Sequence, residues 1–397
     1  MKRILAYMLA ALCLVSCNWF HHEDFSDRHS LLIYIAGNNS ISSYGEQDLA
    51  DIESAWLPET SDKSDILMVF THFTDQTPKL FRLSRDKRGN LVKDIIMEYP
   101  FATNSGTTQT LQEVIDDAEE AWPAGSHGLV LWSHASGFLP PGYFSDPKEQ
   151  SFSRVRQQEA AFVDPFAGMV KSFAVDGSSE MDIVELGKVL QRTYYEYIIF
   201  DCCFMADVQV AYELIPACGL LVFSPTEILG DGLPYDSMVE TIFKGKDYTS
   251  SMKKLCEDYM SQYRSQTGDY ASATITLLNT AKLGPLADAC RPVFEQYREQ
   301  ILTLDRSKVQ AYFRNPSLHW FYDLGHLVSQ VGTDAQISTF NRALDQAVIF
   351  KDATPAFLGL KIDHYSGLSV YIPRSGYTVL NNYYKTLKWN QATGLVK

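Results

Sequence analysis

Beyond its N-terminal leader the 397-residue chain has no apolar run long enough to cross a bilayer, which excludes a body built of membrane-spanning helices. It is short of positive charge. Its 34 Lys and Arg face 48 Asp and Glu, a net charge of −14, which argues against nucleic-acid binding and is compatible with a cationic substrate. No Gly-x-Ser-x-Gly is present, so a serine-elbow hydrolase is disfavoured. No Asp-rich loop of the EF-hand kind is present either. Internal repeats and low-complexity segments are also absent, so a repeat-built architecture is not expected. Cysteine is sparse. With Cys13 and Cys17 in the leader, five remain, namely Cys202, Cys203, Cys218, Cys256 and Cys290. An odd number leaves at least one free thiol in an exported protein. A vicinal disulfide strains the backbone, so Cys202 and Cys203 are not expected to pair with each other.

The leader itself is informative. Lys2 and Arg3 precede the apolar run Ile4 to Leu12, and Leu14-Val15-Ser16-Cys17 follows. A charged start, a short apolar stretch and small residues mark a secretory signal. The cysteine directly after Leu-Val-Ser resembles the lipobox of bacterial lipoproteins, so residues 1–17 are expected to be a signal peptide ending at an acylated Cys17. Residues 18–28 would then be a polar tether. The expected location is exported, at the outer membrane or cell surface, with the membrane reached through an N-terminal lipid.

The remaining chain is long enough for one large or two medium domains. Ser30 to Ala36, Ile66 to Thr71, Leu129 to Ser133, Tyr197 to Phe200 and Gly219 to Phe223 read as buried strands. Helical patterns lie between them, at Gln47 to Trp56, Thr110 to Trp122, Met181 to Leu190 and Met205 to Leu214. Lys79 to Leu83 and Leu91 to Met97 flank a polar turn and read as a hairpin. Alternating strands and helices imply an α/β fold, a mostly parallel sheet with helices on both faces. After about residue 240 the pattern becomes mixed α+β. Residues 29–240 are therefore expected to form one domain and residues 241–397 a C-terminal region packed on it. In that region Ile337 to Phe350 reads as a helix, while Phe357 to Ile362 and Gly367 to Ile372 read as a closing pair of strands.

Two runs end abruptly at reactive side chains. Leu129-Val130-Leu131-Trp132-Ser133 delivers His134, and Ile198-Ile199-Phe200-Asp201 delivers Cys202 and Cys203. A buried parallel strand presents groups at its carboxyl end in this way. A thiol with an imidazole partner is the pattern of a cysteine nucleophile.

These blocks resemble the clostripain-like cysteine peptidases, in the clan that also holds caspases, gingipains and legumain. Leu32 to Asn39 resembles the family's first strand and its Asp-Asn-Asn turn, with Gly37 in place of Asp. Leu131-Trp132-Ser133-His134 matches the histidine strand, and Asp201-Cys202-Cys203-Phe204-Met205 matches an Asp-Ala-Cys-Leu-Met block. Ser224 to Tyr235 resembles the loop after the next strand. The resemblance implies a caspase-like sheet and a His134/Cys203 dyad, with the backbone N–H groups of Cys203 and Ala135 holding the oxyanion. Two departures stand out. Cys202 replaces alanine, and Ala135 replaces the glycine that follows the histidine. If that position needs a glycine-only backbone, activity would suffer.

The resemblance further implies cleavage after Arg or Lys of a peptide or protein substrate. Asp201 and Asp231 are the candidate recognition carboxylates, with Ser224 and Glu227 lining the same cleft. The irregular stretch 142–173 carries Lys148, Arg154 and Arg156, candidate self-cleavage sites. No cofactor is expected; calcium enters only through the resemblance. The competing expectation is a catalytically inactive, peptidase-like surface lipoprotein that binds peptide or protein.

Overall fold

The computed structural model describes residues 25–144, 146, 180–315, 318 and 320–397. Its first strands are β1 (His29–Gly37), β2 (Asp65–Phe73), β3 (Lys79–Arg85), β4 (Leu91–Glu98), β5 (Ser126–Trp132), β6 (Tyr195–Asp201), β7 (Cys218–Phe223) and β8 (Thr274–Asn279). Then come β9 (Tyr322–Asp323), β10 (Val348–Ala353), β11 (Ala356–Phe357), β12 (Leu360–Lys361) and β13 (Ser369–Val370). Nine of them form one sheet in the order β10-β8-β7-β6-β5-β1-β2-β3-β4. The strands β2, β1, β5, β6 and β7 run parallel. The pairs β2–β3, β3–β4, β7–β8 and β8–β10 are antiparallel and flank them. The α/β reading is therefore correct.

Alternate residues of each central strand feed two cores. Leu32, Tyr34, Leu129, Leu131, Ile198 and Phe200 pack on one face, against α2 (Thr108–Ala121), α3 (Ile183–Leu190) and α7 (Leu283–Thr303). Leu31, Ile33, Val130, Trp132 and Ile199 pack on the other, against α1 (Ser42–Ser54), α5 (Tyr235–Phe243) and α6 (Tyr248–Arg264). A strand apolar on both sides is what a doubly covered parallel sheet requires.

Three elements differ from the sequence reading. The helix expected over Met205 to Leu214 spans only α4 (Val208–Glu213), because the Asp207 carboxylate accepts the Gln209 N–H at 2.9 Å and caps it there. The helix expected to reach Phe350 is α9 (Asp334–Ala347), and the β-branched and aromatic run Val348-Ile349-Phe350 turns into β10. The two C-terminal strands do not pair with each other. β11 and β12 form a small hairpin, while β13 pairs with β9, just ahead of α8 (Leu324–Val331). In the C-terminal region β8 and β10 extend the sheet of the first region, and the other strands form two small sheets, β11-β12 and β13-β9.

Candidate active site

The order of the central strands sets the site. β1 is flanked by β2 on one side and β5 on the other. Chain connections leave in opposite directions from such a point and open a crevice at the strand carboxyl ends. β5 and β6 end there side by side, with Trp132 and Asp201 as register partners. His134 and Cys203 each lie two residues further along, so the two candidate catalytic side chains sit on neighbouring strand ends.

The histidine loop is bolted down. The Trp132 indole N–H donates to Asp48 on α1 at 2.6 Å, and the Ser133 hydroxyl donates to the Ala36 carbonyl at 3.1 Å. His134 is half-buried, with Nε2 3.3 Å from Ser40 Oγ. Cys203 is fully buried, and its Sγ accepts the Ile228 N–H at 3.3 Å. The neighbouring Cys202 donates its thiol proton to the Leu131 carbonyl at 3.2 Å. It lines a cavity of about 110 Å³ together with His134, Ala135, Tyr34 and Met205. The thiol that departs from the family pattern thus faces the histidine's cavity, and Cys203 faces the loop after β7.

The turn behind Cys203 is strained and well supported. Phe204 is left-handed, at φ 62°, a conformation that costs a side-chain-bearing residue about 1–3 kcal/mol. Its N–H reaches the Thr226 carbonyl at 2.9 Å, and its ring stacks on Phe321 with centroids 4.6 Å apart. Ala206 N–H likewise donates to the Ser224 carbonyl at 2.9 Å. Burial pushes the Asp207 carboxyl up to about 8, opposed by hydrogen bonds from Ser369 and the α4 backbone. Because Asp207 occupies the start of α4, that helix terminus acts on the carboxyl rather than directly on the sulfur.

Ala135 does not need glycine, since it is absent from the residues with positive φ. The requirement falls on Gly137, at φ +59°, where an added Cβ would lie 2.7 Å from the Phe204 carbonyl oxygen. Gly137→Ala should therefore push the histidine loop away from the cysteine turn. We expect a loss of about 1–3 kcal/mol in stability, read by urea melts, together with slower labelling of Cys203 by a thiol reagent.

The candidate recognition residues separate. Asp201 is fully buried and accepts the Tyr235 hydroxyl at 3.0 Å. Asp231 is exposed and borders a surface pocket of about 280 Å³ with Tyr44, Asp48, Asp51 and Asp236. Burial, then Asp231, raises the Tyr44 phenol above its ordinary range. Ser224 is buried in a hydroxyl cluster, 3.2 Å from Thr226 Oγ1 and 2.7 Å from Thr274 Oγ1. The Glu227 carboxylate holds a bidentate pair with Arg314, at 2.7 and 2.8 Å, with both side chains almost wholly buried. Arg314 and Ser40 are the two residues the sequence reading missed. Nothing near Arg314 marks it out, and Ser40 is one residue beyond the turn already noted. Cys17, Lys148, Arg154 and Arg156 lie outside the described residues. Among the described residues no group of three or more His, Cys, Asp or Glu could hold a metal ion.

A sheet that ends in a buried thiol and an imidazole on adjacent strands defines a cysteine peptidase of the caspase-like class. The clostripain family model matches residues 33–394, and the chain belongs to that family. It is similar over 92% of its length, and over 97% of the other chain, to the inactive zymogen of a C11 protease from Parabacteroides distasonis, with 28% identity and a TM-score of 0.76. A secreted C11 cysteine protease from Bacteroides thetaiotaomicron, solved with an irreversible peptide inhibitor, is 26% identical with a TM-score of 0.74, covering 92% of this chain and 98% of that one. A search of the curated proteins gives no match.

Proposed function

We propose that this cysteine peptidase is an exported, lipid-anchored endopeptidase that cuts after Arg or Lys with Cys203 as nucleophile and His134 as its base. One observation carries the reading, the arrival of His134 and Cys203 on neighbouring carboxyl ends of β5 and β6. The imidazole takes the thiol proton, and sulfur attacks the scissile carbonyl. The oxyanion rests on the backbone N–H groups of Cys203 and Ala135. The proton passes to the leaving amine as the C–N bond breaks, and water then hydrolyses the thioester. Asp231 is the accessible carboxylate for a basic side chain, while Asp201 lies behind Tyr235. Export is supported by the leader and by the secreted relative. Self-cleavage at Lys148, Arg154 or Arg156 belongs to the same reading.

The complete burial of Cys203 favours a second reading, a scaffold that binds peptide without cutting it. A peptide-library digest separates the two. Wild type is expected to release fragments ending in Arg or Lys and to label at Cys203. Cys203→Ala should abolish cleavage and His134→Ala should reduce it at least about a thousandfold. Peptide retention without cleavage, unchanged in both variants, would establish the scaffold instead.

A further inference from the structure

We infer that the cavity beside His134 is the subsite for the residue that follows the cut, and that it selects a side chain the size of Leu, Ile or Met. The inference rests on the peptidase reading above and adds a second specificity element to it. It follows from the directions in which the two candidate catalytic groups face. Cys203 Sγ meets the Ile228 N–H at 3.3 Å, in the loop after β7 that also carries Asp231. Asp231 borders its pocket with Tyr44 and Tyr235, on the α1 and α5 face of the sheet. The acyl half of the substrate, with its basic side chain, belongs to that side. His134 lines a cavity on the opposite face, against α3. The imidazole hands its proton to the departing nitrogen, so the residue that owns this nitrogen lies on the imidazole's side. Its Cα is bonded to that nitrogen, and its side chain is therefore the first to reach the cavity.

The walls of the cavity are carbon. Leu131 and Phe200 come from β5 and β6, Ile183 and Leu186 from α3, and Met181 and Met205 from the segments beside α3 and β6. Polar side chains among its liners already hold partners. The Tyr34 hydroxyl donates to the Ser105 carbonyl at 2.9 Å, the Ser133 hydroxyl to the Ala36 carbonyl at 3.1 Å and the Cys202 thiol to the Leu131 carbonyl at 3.2 Å. An apolar side chain thus leaves none of these groups stranded. Glu180 also lines the cavity, and its carboxylate accepts the Gly142 N–H at 2.8 Å. A carboxylate there turns away Asp and Glu. Size sets the rest. An apolar cavity of about 150 Å³ holds a benzene ring. The volume here, about 110 Å³, therefore takes a side chain of roughly four carbons and is too small for Trp.

Full-length wild type, Met181→Ala, Met181→Trp and Cys203→Ala should be compared on internally quenched peptides. These carry Arg before the cut and Gly, Leu, Ile, Met, Trp, Asp or Lys after it. Mass spectrometry places each cut, and thermal midpoints report folding. In wild type, kcat/KM is expected to be about tenfold to a hundredfold higher with Leu, Ile or Met than with Gly. Trp and Asp should fall to the Gly level or below. Met181→Trp fills the cavity and should bring the Leu-to-Gly ratio below about threefold. Met181→Ala widens it and should raise Trp relative to Leu by about fivefold or more. Equal rates for Gly and Leu in an active wild type, beside an inactive Cys203→Ala, would overturn the subsite and leave the peptidase reading standing. A preference for Lys would also overturn it, by making Glu180 the recognition group. So would a Leu-to-Gly ratio unchanged in both Met181 variants. Peptides left uncut by wild type, or cut equally by Cys203→Ala, would overturn the peptidase reading and the subsite with it.

Discussion

Arg314→Met should destabilise the protein by about 3–5 kcal/mol, because it leaves the Glu227 carboxylate buried without its cation. The side chains are 6% and 1% exposed, so water cannot replace the guanidinium. Lysine would not rescue it, since an ammonium cannot reproduce the two parallel contacts at 2.7 and 2.8 Å. The double change Arg314→Met with Glu227→Leu should recover most of the stability, because the pair's desolvation penalty disappears with the pair. Urea melts of the three variants check this; equal losses in single and double mutants would contradict it. The thiol supplies a second readout. Ile228, next to Glu227, donates its N–H to Cys203 Sγ. Loss of the ion pair should therefore alter the rate at which Cys203 reacts with a small thiol reagent, whether or not the fold survives intact.

The second large effect is expected on acidification and arises at the opposite end of the sheet. His29 opens β1 and is buried, with Nε2 2.8 Å from the Tyr197 hydroxyl and Nδ1 3.0 Å from Ser126 Oγ. Burial is the main cause that pulls its pKa down to about 4; the Ser126 contact opposes this and His127 adds to it. In the unfolded chain the ring titrates near its ordinary value of 6.5. Between those values the unfolded state binds a proton that the folded state refuses. The contribution is thus fully present above about pH 6.5 and is lost as the pH falls through about 4. By pH 4.5 that loss amounts to about 2.5 kcal/mol. His29→Gln should flatten this part of the profile. The stability difference between wild type and variant, measured at pH 7.5 and pH 4.5, should therefore shift by about that amount. A constant difference at the two pH values would remove His29 as the acid-sensitive group.

The α/β architecture and the two strand ends could be read directly, for a definite reason. A strand buried on both faces must be apolar throughout, so Leu129 to Trp132 and Ile198 to Phe200 announce themselves, and the first reactive residue after each run marks the crevice. Pairing partners carry no such signature. Nothing in Val348 to Ala353 says that it will lie beside β8, and nothing in Ser369-Val370 says that it will choose β9. The same limit applies at the site. Glu227 reads as a free carboxylate until Arg314, 87 residues later, is brought against it. The resemblance has a glycine where Ala135 stands, whereas the close approach of two backbones makes glycine a requirement at Gly137. Local chemistry could be inferred from sequence. Its partners, supplied by remote segments, could not.

The strand beside the nucleophile's own has an outer edge made of Cys218-Gly219-Leu220-Leu221-Val222-Phe223, and β8 covers it with residues 274–279. A chain interrupted near residue 240 would present that row of unmet amides and carbonyls to any passing polypeptide, an adhesive rim. Such a fragment should clump rather than circulate as a small soluble peptidase. During synthesis the same rim stays bare until residues 274–279 have been made.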